Sequence, residues 1–233
     1  MLPNLIKDLQ KAKNLEQAKL LQRFFKTGKG EYGEGDVFLG IKVPATREIA
    51  KKYTGLNIKN IEMLLKSKIH EYRLAGLLIL VEKFNKADER GKGDIFNFYL
   101  KNTKNINNWD LVDLSAPSII GEFLVDKSKN VLYKLAESKS LWERRISVIS
   151  TFAFIKKNKF QDTFRISQAL LKDEHDLMHK AVGWMLRETG KRDQELLESF
   201  LRKNYKEMPR TMLRYSIEKF PEKLRKKYLN GEV

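Results

Sequence analysis

Apolar residues recur at spacings of three and four along nearly the whole chain and strand-like alternation is almost absent, so the pattern predicts an all-α protein with short connections. The first two helices are expected over Leu2 to Ala12 and Leu15 to Lys26, the second carrying Ala18, Leu21 and Phe25 on one face. The pattern then breaks at Gly28 to Asp36, where four glycines fall within eight residues. It resumes at Pro44, which suits the first turn of a helix running to about Lys52.

From residue 57 onward the chain divides into units of roughly 40 residues, the length of HEAT-type helical repeats. Their second helices are expected to start at His70-Glu71-Tyr72-Arg73, Trp109-Asp110-Leu111-Val112-Asp113, Trp142-Glu143-Arg144-Arg145 and Leu177-Met178-His179-Lys180, with a truncated copy near Met208 to Leu213. The expected architecture is therefore an α-α superhelix, a solenoid of HEAT-like repeats. Residues 1–233 are read as one domain, with N-terminal helices and the glycine-rich loop over 1–56 and repeats over 57–233. Aligning the repeats sets Arg73, Asp113, Arg145 and Lys180 at equivalent positions, separated by 40, 32 and 35 residues. In a solenoid such positions form a row on one, usually concave, surface. The row reads as a basic phosphate-binding cleft holding one acid, or equally as a ladder between repeats in which Asp113 pairs with Arg145 structurally.

With 46 Lys and Arg against 30 Asp and Glu, the formal net charge is +16 and the pI near 9.8, which points to a polyanionic partner such as nucleic acid or, second to it, an anionic membrane surface; charge alone does not choose between them. The longest apolar run, Leu74 to Val81, is far too short to span a bilayer, and the amino terminus lacks the order of a secretory signal. A soluble, cytoplasmic protein is expected, nucleoid-associated when bound to DNA. The absence of cysteine removes disulfides and thiolate metal sites. His175 and His179 stand four apart beside an acid, but the glutamate and third ligand of a zinc helix are missing, so no metal or other cofactor is expected.

Trp109 and Asp113 carry the most chemistry. On a helix they lie on one side about a turn apart, an aromatic face next to a carboxylate in a basic protein. Trp142 and Trp184 occupy related places in their repeats; tryptophan there is either core or a stacking surface for sugar and base. The glycine-dense loop lacks the Gly-Lys-Ser/Thr ending of a phosphate loop. It is a surface loop, or one lying over or beside the binding surface. No Ser-His-Asp or Cys-His arrangement is legible, and no carboxylate stands out as a pair for Asp113 except Asp110, which could face the same way or equally cap or solvate the helix start.

Four ordered motifs resemble the AlkD-like DNA alkylation-repair glycosylases, which are built from HEAT-like repeats. These are Phe38-Leu39-Gly40-Ile41-Lys42-Val43-Pro44 with Arg47, Trp109 to Asp113, Leu141 to Arg145, and Lys180 to Glu188. The resemblance spans nearly the whole chain. It implies a solenoid whose concave cleft holds duplex DNA and which hydrolyses the N-glycosidic bond of cationic N3- and N7-alkylated purines, such as 3-methyladenine and 7-methylguanine, during base excision repair. It assigns catalysis to Asp113, aromatic cleft contacts to Trp109 and Trp184, and a phosphate contact to Arg145. Arg73, Lys180, Arg144 and Arg47 are expected to join Arg145 on the backbone of double-stranded DNA, bound by a monomer away from any membrane.

Two features depart from the family pattern. Phe24 stands where shorter members carry tyrosine, and the loop from Gly28 to Asp36 is longer than their connection, leaving open whether it permits or blocks excision. Two other readings remain: a non-catalytic HEAT-repeat protein binding duplex or branched DNA, and a scaffold for an acidic protein.

Overall fold

Short polar side chains set where several of the helices begin. Asn14, Asn57, Asp88 and Asp193 each accept a hydrogen bond from a backbone N–H in the first turn that follows, supplying an acceptor that the helix itself cannot. In this computed structural model, which describes residues 1–233, these caps start α2 (Leu15–Phe24), α4 (Ile58–Leu65), α6 (Glu89–Lys101) and, further on, α14 (Gln194–Asn204). Pro44 sits in the first turn of α3 (Val43–Lys51), where its missing N–H costs nothing. α1 (Leu2–Lys11) precedes them. The expected helices are thus present with ends one or two residues earlier.

The protein is all-helical, with no β-strand and a single isolated bridge between Val37 and Ile69, and its fold is of the α-α superhelical class. Its internal contacts divide it into two units, residues 1–115 and 116–233. No helix is long and apolar enough to cross a membrane.

The first unit is built around α5 (His70–Lys86), which is buried on every side from His70 to Leu80. A helix without a solvent face must be covered all round, and α1, α3, α4, α6 and the short α7 (Trp109–Asp113) all pack against it. α7 stops after five residues. Pro117, four positions beyond Asp113, lacks the N–H that the Asp113 carbonyl would take in a longer α-helix.

In the second unit, α9 (Asn130–Ala136), α10 (Leu141–Ser150), α13 (Asp176–Gly190) and α15 (Arg210–Ser216) pack in succession, α9 on α10, α10 on α13 and α13 on α15. Gly183 makes the last approach possible: a Cβ there would lie 2.5 Å from Cβ of Tyr215 and 2.6 Å from the Met212 carbonyl oxygen. The starts of α5, α7, α10, α13 and α15 match the expected repeat starts to within two residues.

Gly40 fixes the entry to α3. Its φ of +85° is left-handed, and a Cβ would fall 2.0 Å from the Asn14 carbonyl oxygen and 2.6 Å from the Ala18 nitrogen. Gly40→Ala is expected to lower the unfolding free energy by about 3 kcal/mol or more, combining backbone strain with overpacking. Urea denaturation measures it, and a loss below roughly 1 kcal/mol, within the ordinary scatter of point substitutions, would contradict this account.

Candidate active site

The carboxylate of Glu71, one residue into α5, is 1% exposed and accepts three backbone hydrogen bonds from one tight turn. Oε2 takes the Leu39 N–H at 2.9 Å, and Oε1 takes those of Gly40 and Ile41 at 2.8 and 3.1 Å. The Phe38-to-Pro44 motif is therefore a nest for a buried anion supplied by the protein itself. It places Ile41, Lys42, Val43 and Pro44 along one wall of a cleft of about 400 Å³.

Much of the remaining lining is aromatic. Phe24, Phe25, Phe38 and Trp109 line the cleft, and Asp113 and Leu114 close it from α7. Phe25 stacks on Phe38 at 5.0 Å between ring centroids and on Trp109 at 5.0 Å with 15° between planes. Phe24, 63% exposed, meets Trp109 edge-on at 5.9 Å. Trp109 is partly core, since one ring contact is spent on Phe25, yet it remains only half-buried. The spacing of Trp109 and Asp113 thus does bring an indole and a half-buried carboxylate to the same cleft. Beside them the Tyr99 phenol is pushed above its ordinary pKa by burial, and the negative charge of Asp113 adds to that shift.

Beneath the cleft lies a cluster of charged groups. His70 Nε2 lies 2.8 Å from Asp110 Oδ2 and its Nδ1 lies 3.2 Å from Asp36 Oδ2. The same Asp36 oxygen accepts from Arg73 Nη2 at 2.7 Å and from Asn108 Nδ2 at 3.2 Å. All five side chains are buried. Two carboxylates, one guanidinium and one imidazolium balance each other in charge, which is what permits their burial.

Burial alone would lower the pKa of His70, but the charge and hydrogen bond of Asp110, with the hydrogen bond of Asp36, raise it to about 9. For Asp36, burial pulls upward and is outweighed by His70 and Arg73, which hold it below the usual carboxylate range. The consequences for stability have opposite signs. The His70 contribution is complete below its unfolded pKa of 6.5 and is lost as pH rises through about 9, whereas the Asp36 contribution is present above 3.8 and is lost on acidification below that. We expect the unfolding free energy to fall by about 3 kcal/mol as pH rises from 6.5 past 9, the worth of the His70 shift. Urea titrations across that range should show the decline, and His70→Gln should flatten it. An equally steep decline in that variant would assign the effect elsewhere.

These positions correct part of the expected basic row. Arg73, expected to face phosphate, is 3% exposed and committed to Asp36 and to the Ser67 carbonyl, because it neutralises a carboxylate inside the fold. Arg145 is 4% exposed and donates through Nη1 to the Leu177 carbonyl at 2.6 Å, anchoring the start of α13 rather than pointing outward. Arg144 spends its fork on Asp173, with Nε at 2.6 Å from Oδ2, and Nη1 on the Ser138 and Lys139 carbonyls. Lys180 is half-exposed and paired with Asp176 at 2.7 Å, and Arg47 is half-exposed on α3.

Trp184, on α13 in the second unit, is half-buried, tilted against Phe152 at 5.8 Å, and directs its indole N–H to Glu188 at 3.2 Å. The two histidines considered as a metal pair serve α13 locally: His175 Nδ1 accepts the Leu177 N–H as an N-cap, and His179 Nε2 meets the Asp173 carbonyl at 2.5 Å. The glycine-rich loop does not line the cleft itself, whose walls include its flanks at Phe25 and Phe38.

The sequence reading missed Glu71, Asp36, His70 and Asp110 as a working set. Glu71 and Asp110 do stand in the first turns of the helices expected at His70 and Trp109, and an acid at the start of a buried helix is a signal that it has a buried partner.

Residues 5–220 match the family described as DNA alkylation repair enzyme, and with nearly the whole chain covered the protein belongs to that family, which places it in DNA repair. No curated protein matches the chain. Among solved structures, one described as a predicted DNA alkylation repair enzyme from Enterococcus faecalis superposes with a TM-score of 0.69 over 90% of this chain and 97% of its own, at 16% identity. At that identity the likeness establishes the fold.

Proposed function

We propose that the protein is a DNA glycosylase that hydrolyses the N-glycosidic bond of N3- or N7-alkylated purines in duplex DNA. The observation that carries this reading is the meeting of the Asp113 carboxylate and the Trp109 ring at one apolar cleft in a chain of net charge +16.

Alkylation at N3 or N7 makes the purine cationic, so the base leaves without being protonated and no general acid is required. As the C1′–N bond breaks, its electron pair neutralises the ring, and positive charge moves onto the deoxyribose in an oxocarbenium-like transition state. A carboxylate held against an apolar cleft stabilises that charge more strongly than one in water. Asp113 has this task, and it orients the water that adds to C1′ and takes up the proton that water gives up. Trp109 offers its ring to the cationic base or sugar, a contact worth about 0.5–2 kcal/mol. The family resemblance assigns Trp184 a second such contact. Lys180 and Arg47, the half-exposed cations of the expected set, serve the phosphates.

Duplex DNA carrying 7-methylguanine or 3-methyladenine, incubated with the protein and assayed for free base, tests the proposal. Failure to release either base would overturn it. Salt-sensitive duplex binding without release would establish instead a non-catalytic DNA-binding member of the family.

A further inference from the structure

We propose that His70 is a positioning residue for the reacting groups: bridging Asp36 and Asp110 through both ring nitrogens, it locks the start of α7 so that Trp109 and Asp113 face the cleft, and does so only while doubly protonated. This rests on the glycosylase reading for its effect on rate, but its structural part stands separately.

Trp109 is flanked by two anchored neighbours. On one side Asn108 donates to Asp36 through Nδ2 and accepts the Trp109 N–H through Oδ1 at 2.8 Å. On the other, Asp110 receives His70 on Oδ2 and the Leu111 N–H on Oδ1 at 2.8 Å. Asp113 follows within the same short helix, where the Leu114 N–H closes on the Asp110 carbonyl at 3.0 Å. A helix of five residues contributes little rigidity of its own. Its orientation is therefore set by residues 108 and 110, and both are held by the Asp36–His70 pair.

The aromatic contacts reach the same centre. Phe38 stacks on the His70 ring at 4.5 Å, Phe25 lies 5.1 Å from it, and Phe25 in turn carries Trp109. His70 thus touches both the polar and the aromatic support of Trp109.

The requirement for two protons follows from the geometry. Each ring nitrogen faces a carboxylate oxygen at hydrogen-bond distance, and neutral imidazole has only one N–H. On deprotonation one carboxylate faces a lone pair, and the cluster carries an unbalanced negative charge. The charged groups bonded to the ring or to its partners are Asp36 from the loop, Asp110 from α7, and Arg73 from α5, with Asp113, Glu71 and Lys42 on the same cleft. Of the two cations, Arg73 is already bound to Asp36, and Lys42 is an exposed side chain on the cleft wall. The raised His70 pKa of about 9 puts the transition at alkaline pH.

The experiment has two readouts. In the first, NMR follows the three histidines between pH 6 and 10.5 while fluorescence follows Trp109 in a protein carrying Trp142→Phe and Trp184→Phe. The expected result is that one histidine and the Trp109 emission titrate together near pH 9, with the helical circular dichroism retained. A His70 midpoint near 6.5, or Trp109 emission indifferent to the His70 titration, would overturn the proposal.

The second readout is single-turnover release of 3-methyladenine. The wild-type rate constant should fall with the same alkaline midpoint while duplex affinity changes little. His70→Gln, whose amide can donate to only one of the two carboxylates at a time, should be about tenfold slower throughout and lack the alkaline limb. An alkaline limb retained by His70→Gln would overturn the kinetic role. If that variant does not fold, the wild-type comparison decides alone: rate and Trp109 emission sharing a midpoint support the proposal, and separate midpoints overturn it. Absence of base release at every pH would refute the glycosylase reading, leaving the NMR and fluorescence titrations to decide the positioning role by themselves.

Discussion

Replacing Asp113 by Asn should lower the rate of base release by about 10²–10³-fold, the usual effect of deleting one preorganised electrostatic contact to a transition state. Asparagine keeps the size and the hydrogen-bonding ability of the side chain, so the cleft should keep its shape. The charge opposite the developing oxocarbenium is lost, together with the carboxylate that takes up the proton of the attacking water. Duplex affinity should be unchanged or slightly raised, because the substitution removes a negative charge from a protein that binds a polyanion. Single-turnover base release and a salt-resolved binding titration separate the two effects. Equal rates for variant and wild type would remove Asp113 from the reaction, and loss of binding together with rate would give it a structural role instead.

The second large effect concerns stability. Glu71→Ala leaves the N–H groups of Leu39, Gly40 and Ile41 buried without an acceptor, at roughly 1–3 kcal/mol for each unsatisfied group. The sum is comparable to the whole stability of a typical domain, about 5–15 kcal/mol, so this variant should be largely unfolded or lack an ordered 39–44 segment. Glu71→Gln should be much milder. Its carbonyl oxygen can replace Oε1, which serves two of the three donors, and only the Leu39 N–H then faces an amide, at a cost of about 1–3 kcal/mol. Urea denaturation, with proteolysis as a check on the segment, should rank wild type above Gln and Gln well above Ala. An alanine variant as stable as the glutamine one would show that the turn finds other partners.

Sequence periodicity revealed the helices and their order because each helix must bury one stripe, and the stripe is written locally. The Trp109–Asp113 pair was visible for the same reason, since helical spacing alone places them side by side. What periodicity cannot reveal is which charge neutralises which across long stretches of chain. Arg73 shares a repeat position with Asp113 and looked like a groove cation, yet its partner Asp36 lies 37 residues earlier in a loop with no pattern of its own. Glu71 likewise depends on N–H groups about 30 residues upstream that any residue type would offer. Backbone donors leave no trace in side-chain patterns. The short α7 was half-visible: Pro117 could be read as a limit to the helix, but its dependence on Asn108 and Asp110 for orientation required the coordinates.

The Phe25–Phe38 stack has a consequence for how this fold tolerates change. The two rings, 5.0 Å apart, pinch the chain closed on either side of the glycine-rich excursion, and Asp36 is fixed in the charged cluster just inside the clasp. Residues beyond the clasp are joined to the rest at points already held, so lengthening the excursion adds only closure entropy, about 0.6 kcal/mol per doubling. This segment is therefore a natural graft point: evolution or an engineer can vary its length and content, adding contacts to a new nucleic-acid shape or a tag, while the walls of the cleft stay where they are.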